Sequence, residues 1–224
     1  MKNSSYIVKQ LIGTSIFFLV PFISAGSVFY WQAWLYVILG FAMFALGQTT
    51  LAIGEDLKQE RNKAGSGAKQ WDKIILLLSF LLTIAMFITA GLDSGRYKSS
   101  PNFPVMAYLL GFVMTGVGQF LFLLAQKQNK FFSSTVRIQS DRGHKVCSTG
   151  LYSIVRHPAY LGSVIQALGF PLIFGSLWSS IPVAMSLLLL ILRTALEDKT
   201  LLNELNGYRE YSQKTKYKLF PFIW

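Results

Sequence analysis

The chain has 224 residues, of which 52% are hydrophobic and only 14% charged, and its mean hydropathy is +0.43. A soluble domain rarely has this composition, because so large an apolar surplus cannot be buried away from water. In a soluble protein the net charge of +11 would suggest a nucleic-acid partner. In so apolar a chain it indicates anionic lipid headgroups and basic cytoplasmic loops instead, with no nucleic acid. The composition predicts an integral membrane protein.

Six apolar segments follow one another along the chain. Two of them, within 74–92 and 105–126, contain no charged residue at all. Each is close to the length of about 20 residues that a helix needs to cross a bilayer. Because the runs are continuously apolar and not alternating, they predict helices and exclude a β-barrel. The predicted all-α membrane fold has about six transmembrane helices, at 9–28, 31–53, 74–93, 104–126, 158–176 and 179–196.

The basic residues separate the two sides of this predicted bundle. Of the 21 Lys and Arg residues, 19 fall at the N-terminus, in the loops 54–73 and 127–157, and in the tail from Arg193. The opposite side has only Arg96 and Lys98. The positive-inside rule therefore predicts cytoplasmic N- and C-termini. The 54–73 loop, which is polar and interrupted by Gly and Ser, is predicted to be a solvated connection.

The last two segments differ from the first four. Segment 158–176 contains Pro171 and three glycines, and proline inside a helix removes a hydrogen bond and bends the helix. A short uncharged turn at 176–180 follows. These features predict a kinked helical hairpin followed by a cytoplasmic tail.

The polar residues of greatest interest lie in the stretch 137–160, which holds both histidines and the only cysteine. Pro158 disfavours helical geometry for the residue before it and suits the first turn of a helix. Arg156 and His157 would then flank a helix N-terminus, where an anion is favoured. An alternative is that Arg156 reaches lipid headgroups and that Tyr160 belongs to an interfacial aromatic belt.

A second pair, Arg193 and Glu197, is four residues apart and shares one helix face. It could be an ordinary ion pair at a helix end. Arg193 directly follows the apolar run 187–192, however, and a charge so close to hydrocarbon usually faces a cavity or a partner. With one cysteine and two histidines, the chain offers neither an internal disulfide nor a supported metal centre, so no metal is expected.

Three further stretches are informative in combination: GLYSIVRHPAYLG at 150–162, RTALEDKTLLNEL at 193–205 and GYREYSQKTKYKLFPFIW at 207–224. Together they resemble the isoprenylcysteine carboxyl methyltransferase family, within the wider group of membrane phospholipid methyltransferases. The resemblance covers about residues 137–224. It implies an S-adenosylmethionine-dependent methyltransferase, with the cofactor in a cytoplasm-facing pocket capped by the C-terminal tail. A lipid or lipidated acceptor would enter from the bilayer.

The resemblance also implies residue roles. Residues 127–224 would form the catalytic region and residues 1–126 a four-helix membrane region. Arg193 would face the acceptor and act with Glu197 in catalysis, and Asp198 stands where the family often has a second glutamate. The implied cofactor contacts are Gln139, His144, Lys145, Val146, Cys147, Tyr152, His157, Pro158, Ala159, Tyr160 and Glu197.

Elementary chemistry agrees with these implied roles. A carboxylate acceptor is ionised at neutral pH and needs desolvation and alignment, not a general base. Arg193 can hold a carboxylate by two parallel hydrogen bonds. The helix start at Pro158 could receive the cofactor's own carboxylate, and Glu197 could hold its ammonium group or ribose hydroxyls.

Two other functions remain open at this stage. Membrane sterol and steroid reductases, which use NADPH, also contain an Arg-His-Pro-like segment and a Tyr-rich end. A small transporter or lipid-binding subunit is the non-enzymatic alternative, but it would place polar groups at mid-membrane in several helices. The acceptor could be a prenylated cysteine, a phospholipid amine or another lipophilic acid or thiol, and Arg193 favours an acid. The sequence assigns no oligomeric state.

Overall fold

The computed structural model describes residues 13, 15, 17–52, 54, 57, 60 and 67–224. These residues form helices, turns and loops, with no strand among them, which confirms the all-α prediction. A π-helical turn, Gly91–Tyr97, prolongs the third helix, and 3₁₀ turns occur at Ser140–Arg142 and Gly150–Ser153. The α-helices are α1 (residues 17–25), α2 (Trp31–Gln48), α3 (Gln70–Ala90), α4 (Val105–Gln128), α5 (Pro158–Phe174), α6 (Ser180–Glu204) and α7 (Tyr208–Lys214).

Four helical segments in the described part of the chain are long and apolar enough to cross a membrane. They are Trp31–Gln48, Gln70–Tyr97, Val105–Gln128 and Ser180–Glu204. Their outward faces expose large apolar side chains such as Leu77 (60%) and Leu188 (67%), as expected of surfaces that face lipid. The 17-residue helix α5 is shorter. The predicted segment 9–28 lies partly outside the described residues, so the count of six stays a prediction.

Two helices extend beyond the apolar runs that predict them. Helix α3 begins at Gln70 and not at 74, and helix α6 continues to Glu204 and not to 196. The apolar pattern underestimates both because the added turns contain charged residues that have partners inside the protein: Asp72 pairs with Arg193, and Asp198 pairs with Arg156. Arg193 therefore lies well inside a continuous helix and not at its end.

Helices α5 and α6 form the hairpin that the sequence predicts. Pro158 occupies the first turn of α5, and Gly175 ends the helix in a left-handed conformation (φ 62°), which glycine adopts without strain. The turn is tied to the rest of the bundle by Asp93, whose Oδ2 accepts hydrogen bonds from Ser176 Oγ and Ser100 Oγ, both at 2.6 Å.

The apolar core lies where α2, α3 and α5 meet. Four aromatic rings pack there edge to face or tilted, with ring centroids between 4.6 and 5.9 Å apart for neighbouring pairs such as Phe170–Phe174 and Tyr36–Phe170. Phe87 joins Phe170 at 5.2 Å. This core holds α5 against the membrane helices and leaves the opposite end of α5, at Pro158, free to form part of a site.

Helices α4 and α5 share the most extensive helix contact of the described structure, and glycines make it possible. A Cβ atom added at Gly118 would lie 2.4 Å from the carbonyl oxygen of Gly162, and one added at Gly162 would lie 2.5 Å from that of Gly118. Small residues at such positions let two backbones approach closely, which is how helices associate in a bilayer.

We expect Gly118→Ala to destabilise the protein, because the new methyl group must push α5 away from α4. Overpacking of this kind costs about 1–3 kcal/mol. Gly116→Ala is the matched control on the same helix, since its Cβ would make an ordinary 3.5 Å contact with Leu39 Cδ1. Thermal unfolding in detergent measures both variants, and equal melting temperatures would contradict the proposed close contact.

Candidate functional site

A cavity of about 250 Å³ lies between α4, α5, α6 and the segments that precede α5 and follow α6. Its walls come from parts of the chain that are far apart in sequence, including the Arg-His-Pro segment and the helix that carries Arg193 and Glu197. Ten of the residues assigned to a site by the sequence line it: His144, Lys145, Val146, Cys147, Tyr152, His157, Ala159, Tyr160, Arg193 and Glu197.

Asp198 is the centre of a buried polar group on one side of this cavity. Its carboxylate is 1% exposed and accepts hydrogen bonds from Arg156 Nε (2.7 Å to Oδ1) and Arg156 Nη2 (2.9 Å to Oδ2). Tyr208 Oη donates to Oδ1 at 2.9 Å, and His157 Nε2 lies 3.3 Å from the same oxygen. These four residues, called here the Asp198 cluster, join α5, α6 and α7.

Arg156 extends the Asp198 cluster into the C-terminal tail. Its Nη1 donates to the carbonyl oxygens of Thr215 (2.9 Å) and Lys216 (2.8 Å). The backbone N–H groups of Arg156 and His157 donate to the carbonyls of Tyr217 and Lys218, both at 2.9 Å. Arg156 and His157 together thus hold four consecutive tail residues against the start of α5.

The Arg-His-Pro corner therefore differs from the expectation that it receives an anion of the cofactor. In the structure both Arg156 and His157 face the chain's own carboxylate, Asp198. Burial by itself lowers the pKa of Arg156, but its hydrogen bonds to Asp198 and the negative charge there more than offset this, so the pKa is raised. Burial, followed by the charge of Asp198, also raises the pKa of Tyr208.

Arg193 belongs to a second polar group, which faces the cavity. Its Nε donates to Asp72 Oδ1 at 2.7 Å, and its Nη2 donates to the carbonyl oxygen of Ser134 at 3.0 Å. The guanidinium carbon lies 5.3 Å from the ring centroid of Tyr160, whose hydroxyl donates to Glu197. We call Asp72, Arg193, Tyr160 and Glu197 the Arg193 cluster.

The Arg193 cluster corrects two expectations. Arg193 and Glu197 do not form an i,i+4 ion pair, because Arg193 is paired with Asp72 across the bundle and Glu197 with Tyr160. The 54–73 segment is also more than a solvated connection. Asp72 is fully buried, and Glu60 is 5% exposed and forms a 2.7 Å ion pair with Arg137. The sequence signal that could have indicated Asp72 is a carboxylate two positions before an apolar run.

The structure places two of the predicted contacts outside the cavity wall. Pro158 begins α5 without lining the cavity. Gln139 is fully buried, and its amide donates to the carbonyl oxygen of Phe131 at 2.7 Å, which holds the loop behind the wall.

His144 joins this loop to the cavity. Its Nδ1 accepts a hydrogen bond from the backbone N–H of Gln139 at 3.3 Å, and its ring lies 4.8 Å from that of Phe131. Burial, followed by the positive charges of Arg137 and Arg142, lowers the pKa of His144 to about 4. His144 is therefore neutral at physiological pH and presents an uncharged ring to the cavity.

Several lining residues were not assigned by the sequence. Tyr208 and Tyr211 belong to the tail stretch 207–224 that carries part of the family resemblance, which implied no contact for either of them. The others come from the segment after α4 and from apolar positions that carry no chemical signature. The additional lining residues are Phe122, Asn129, Phe131, Phe132, Ser133, Ser134, Thr135, Val136, Arg137, Arg156, Leu201, Leu205, Tyr208 and Tyr211.

Comparison with known proteins adds an independent observation. Residues 109–203 match the profile of the isoprenylcysteine carboxyl methyltransferase (ICMT) family. A protein-S-isoprenylcysteine O-methyltransferase of Schizosaccharomyces pombe is 32% identical over 117 residues, which cover 52% of this chain and 43% of the relative. A probable protein-S-isoprenylcysteine O-methyltransferase of Oryza sativa subsp. indica is 29% identical over 117 residues, covering 51% and 61%. The alignments thus span about half the length of these relatives.

The ICMT match contains most of the polar groups described above but not all of them. Arg156, His157, Arg193 and Asp198 lie inside 109–203. Asp72, which binds Arg193, lies before the match, and Tyr208, which binds Asp198, lies after it. The neighbouring parts of the chain therefore complete both polar clusters.

We expect Asp198→Asn to destabilise the protein strongly, because it leaves the Arg156 charge buried without its counter-ion. Removing one partner of a buried ion pair costs about 3–5 kcal/mol. Glu204→Gln is the matched control on the same helix, since its pair with Lys69 is exposed and such pairs contribute about 0–1 kcal/mol. Unfolding in mixed detergent measures the free energy of unfolding of both variants. If Asp198→Asn loses no more of it than Glu204→Gln, this account of the Asp198 cluster is wrong.

Proposed function

We propose that this protein is a membrane-embedded methyltransferase that uses S-adenosylmethionine to methylate the carboxylate of an isoprenylcysteine-type acceptor. The observation that carries the proposal is the cavity, which brings the motif residues around His157 together with Arg193 and Glu197. The ICMT match and the names of the relatives support the same reaction. Catalysis is assigned to Arg193 and Glu197.

The residues that line the cavity fit the proposed cofactor. Its volume of about 250 Å³ is close to the lower end of the roughly 300–1,000 Å³ found for small-molecule sites. Aromatic rings such as Phe131 and Tyr152 offer faces for a nucleoside, and Glu197 offers a carboxylate for a positively charged group. When bound, S-adenosylmethionine supplies a sulfonium methyl group, and its transfer to a carboxylate oxygen breaks the carbon–sulfur bond and leaves a neutral thioether.

The proposed cofactor contacts are those that line the cavity, with two indirect contributors. Gln139 acts by holding the loop that carries His144, and Pro158 acts by starting the helix that carries Ala159 and Tyr160. The direct contacts are His144, Lys145, Val146, Cys147, Tyr152, His157, Ala159, Tyr160 and Glu197.

Arg193 is proposed to bind and orient the acceptor carboxylate. It lines the cavity, and its Nη1 atom has no hydrogen-bond partner among the described residues. An acceptor carboxylate at Nη1 would exchange water for a charged hydrogen bond, which aligns the oxygen without removing its charge. The reaction moves no proton, so no general base is required of this site.

The two alternative functions are less well supported. The ICMT match runs through the Arg-His-Pro segment and the Arg193–Glu197 segment together, which favours methyl transfer over NADPH-dependent reduction. The polar clusters lie together around one cavity and are not spread along a path through the helices, which disfavours transport. Titration with S-adenosylhomocysteine and with NADPH separates the two cofactors directly.

We expect purified protein to transfer a labelled methyl group from S-adenosylmethionine to N-acetyl-S-farnesylcysteine and to form a base-labile ester. Arg193→Ala should lower kcat/KM for the acceptor at least 100-fold, and Glu197→Gln should raise KM for the cofactor. Lys199→Ala is the matched control, because Lys199 is on the same helix and exposed. Absence of ester with wild-type protein, together with no S-adenosylhomocysteine binding, would refute the proposed reaction.

We further propose the predicted topology, with six membrane-spanning segments and both termini in the cytoplasm. Residues 1–126 would form the four-helix region, and residues 127–224 the catalytic region. The distribution of Lys and Arg supports this orientation. The cavity, which lies beside the basic segments 127–157 and 205–218, would then open toward cytoplasmic cofactor.

The orientation is tested with single cysteines in a Cys147→Ser background. A membrane-impermeant maleimide should label Gln213→Cys only in inverted vesicles and Ser99→Cys only in right-side-out vesicles. Both positions are exposed in the structure, so burial does not limit the reaction. The reverse pattern would contradict the orientation, and labelling of both from one side would contradict the proposed number of spans.

A further inference from the structure

Asp72 is a fully buried carboxylate that is not part of the family match, and it lies at the first turn of α3. Its two oxygens accept three hydrogen bonds. Oδ1 accepts from Arg193 Nε at 2.7 Å, and Oδ2 accepts from the backbone N–H of Val136 at 2.7 Å and from Arg193 Nη2 at 3.4 Å. Asp72 therefore connects Arg193 to the segment 133–136, which is a wall of the cavity.

These contacts determine which nitrogen of the Arg193 guanidinium is available. A guanidinium has two edges, Nε–Nη2 and Nη1–Nη2, and each can hold a carboxylate by two parallel hydrogen bonds as long as both of its nitrogens have a free hydrogen. Asp72 occupies the Nε–Nη2 edge, and the carbonyl oxygen of Ser134 takes the remaining hydrogen of Nη2 at 3.0 Å. Only Nη1 is left without a partner among the described residues. The sequence-based expectation of a two-bond grip on the acceptor therefore does not agree with the geometry.

We propose that Asp72 is a positioning residue that restricts Arg193 to holding one oxygen of the acceptor carboxylate, through Nη1. We call this arrangement the single-oxygen grip. This inference rests on the proposed methyl transfer. With one acceptor oxygen held by Nη1, the other oxygen keeps its lone pairs free to form the new oxygen–carbon bond. The carbon–sulfur bond breaks with its electron pair on sulfur, and no proton is transferred. A two-bond grip would engage both oxygens and reduce the nucleophilicity of each.

Asp72 also sets the charge that an acidic acceptor meets. Its negative charge neutralises Arg193, whose side chain is 13% exposed at the edge of an apolar helix. The acceptor therefore approaches a nearly neutral pair and not an unpaired cation. The neutralised pair therefore binds the acid less tightly in the ground state. This weaker binding need not lower kcat, because an interaction that is equally strong in the ground state and the transition state does not raise kcat.

The test is Asp72→Asn, which keeps the size of the side chain and removes its charge. We expect the Kd for N-acetyl-S-farnesylcysteine, measured without cofactor, to fall at least threefold, because the amide keeps only one oxygen for Arg193 and no longer neutralises its charge. The Kd for the neutral methyl ester should stay unchanged. At the same time kcat for methyl transfer should fall at least 10-fold. A purely structural role could lower kcat but would not tighten binding of the acid alone.

Lys69→Ala is the matched control. Lys69 lies at the end of the same helix and forms an exposed 2.7 Å ion pair with Glu204 of α6, so it bridges the same two helices outside the cavity. It should leave both Kd values and kcat at wild-type levels. Asp72→Glu keeps the charge and is the second variant if Asp72→Asn does not fold. It should lower kcat severalfold, through displacement of the guanidinium, without tightening binding of the acid.

The outcomes separate the inference from the proposed function. If wild-type protein turns over and Asp72→Asn binds the acid no more tightly than wild type, the single-oxygen grip is wrong. Unchanged kcat in both Asp72→Asn and Asp72→Glu also overturns it. If wild-type protein neither binds the acid nor forms ester, the proposed methyl transfer fails, and the role of Asp72 fails with it.

Discussion

The ion pair between Arg156 and Asp198 is the contact on which the site depends. Both side chains are buried in a chain that is mostly apolar, and an unpaired charge there would be very costly. Satisfying Asp198 requires Arg156 and His157 from the start of α5 together with Tyr208 from α7. Arg156 also donates hydrogen bonds to two backbone carbonyl oxygens of the tail. One carboxylate thus determines where the cavity wall formed by the start of α5 and the C-terminal tail stands.

A second ion pair, between Asp72 and Arg193, performs the corresponding task at another wall of the cavity. It fixes α3 to α6 and holds the 133–136 wall through the backbone of Val136. The two polar clusters are in contact through the parallel rings of His157 and Tyr160, whose centroids are 5.7 Å apart. Neighbouring residues on α6, Glu197 and Asp198, therefore serve different purposes, one turned to the cavity and the other to the interior.

The different partners of neighbouring residues explain why the sequence was sufficient to recognise the motif residues but not to predict their contacts. The Arg-His-Pro segment, the Arg193–Glu197 spacing and the Tyr-rich tail are local patterns, and they point to one chemistry together. Their partners are set by tertiary packing. Arg156 appeared suited to an external anion and binds Asp198, while Arg193 appeared to be a neighbour of Glu197 and binds a residue 121 positions away. Spacing along a helix shows which residues share a face, but not what that face meets.

The sequence by itself determined the helical membrane class, the hairpin of α5 and α6 and the segments that supply the cavity, because hydrophobic runs, proline and glycine act locally on the backbone. It also indicated the ICMT family, although the matching region, 109–203, overlaps the predicted region 137–224 only in part. Only the tertiary structure decided the pairing of buried charges and hence which nitrogen of Arg193 remains open. The physical reason is that a buried charge must find an opposite charge within a few ångströms, and only the packing of distant helices determines which one is there.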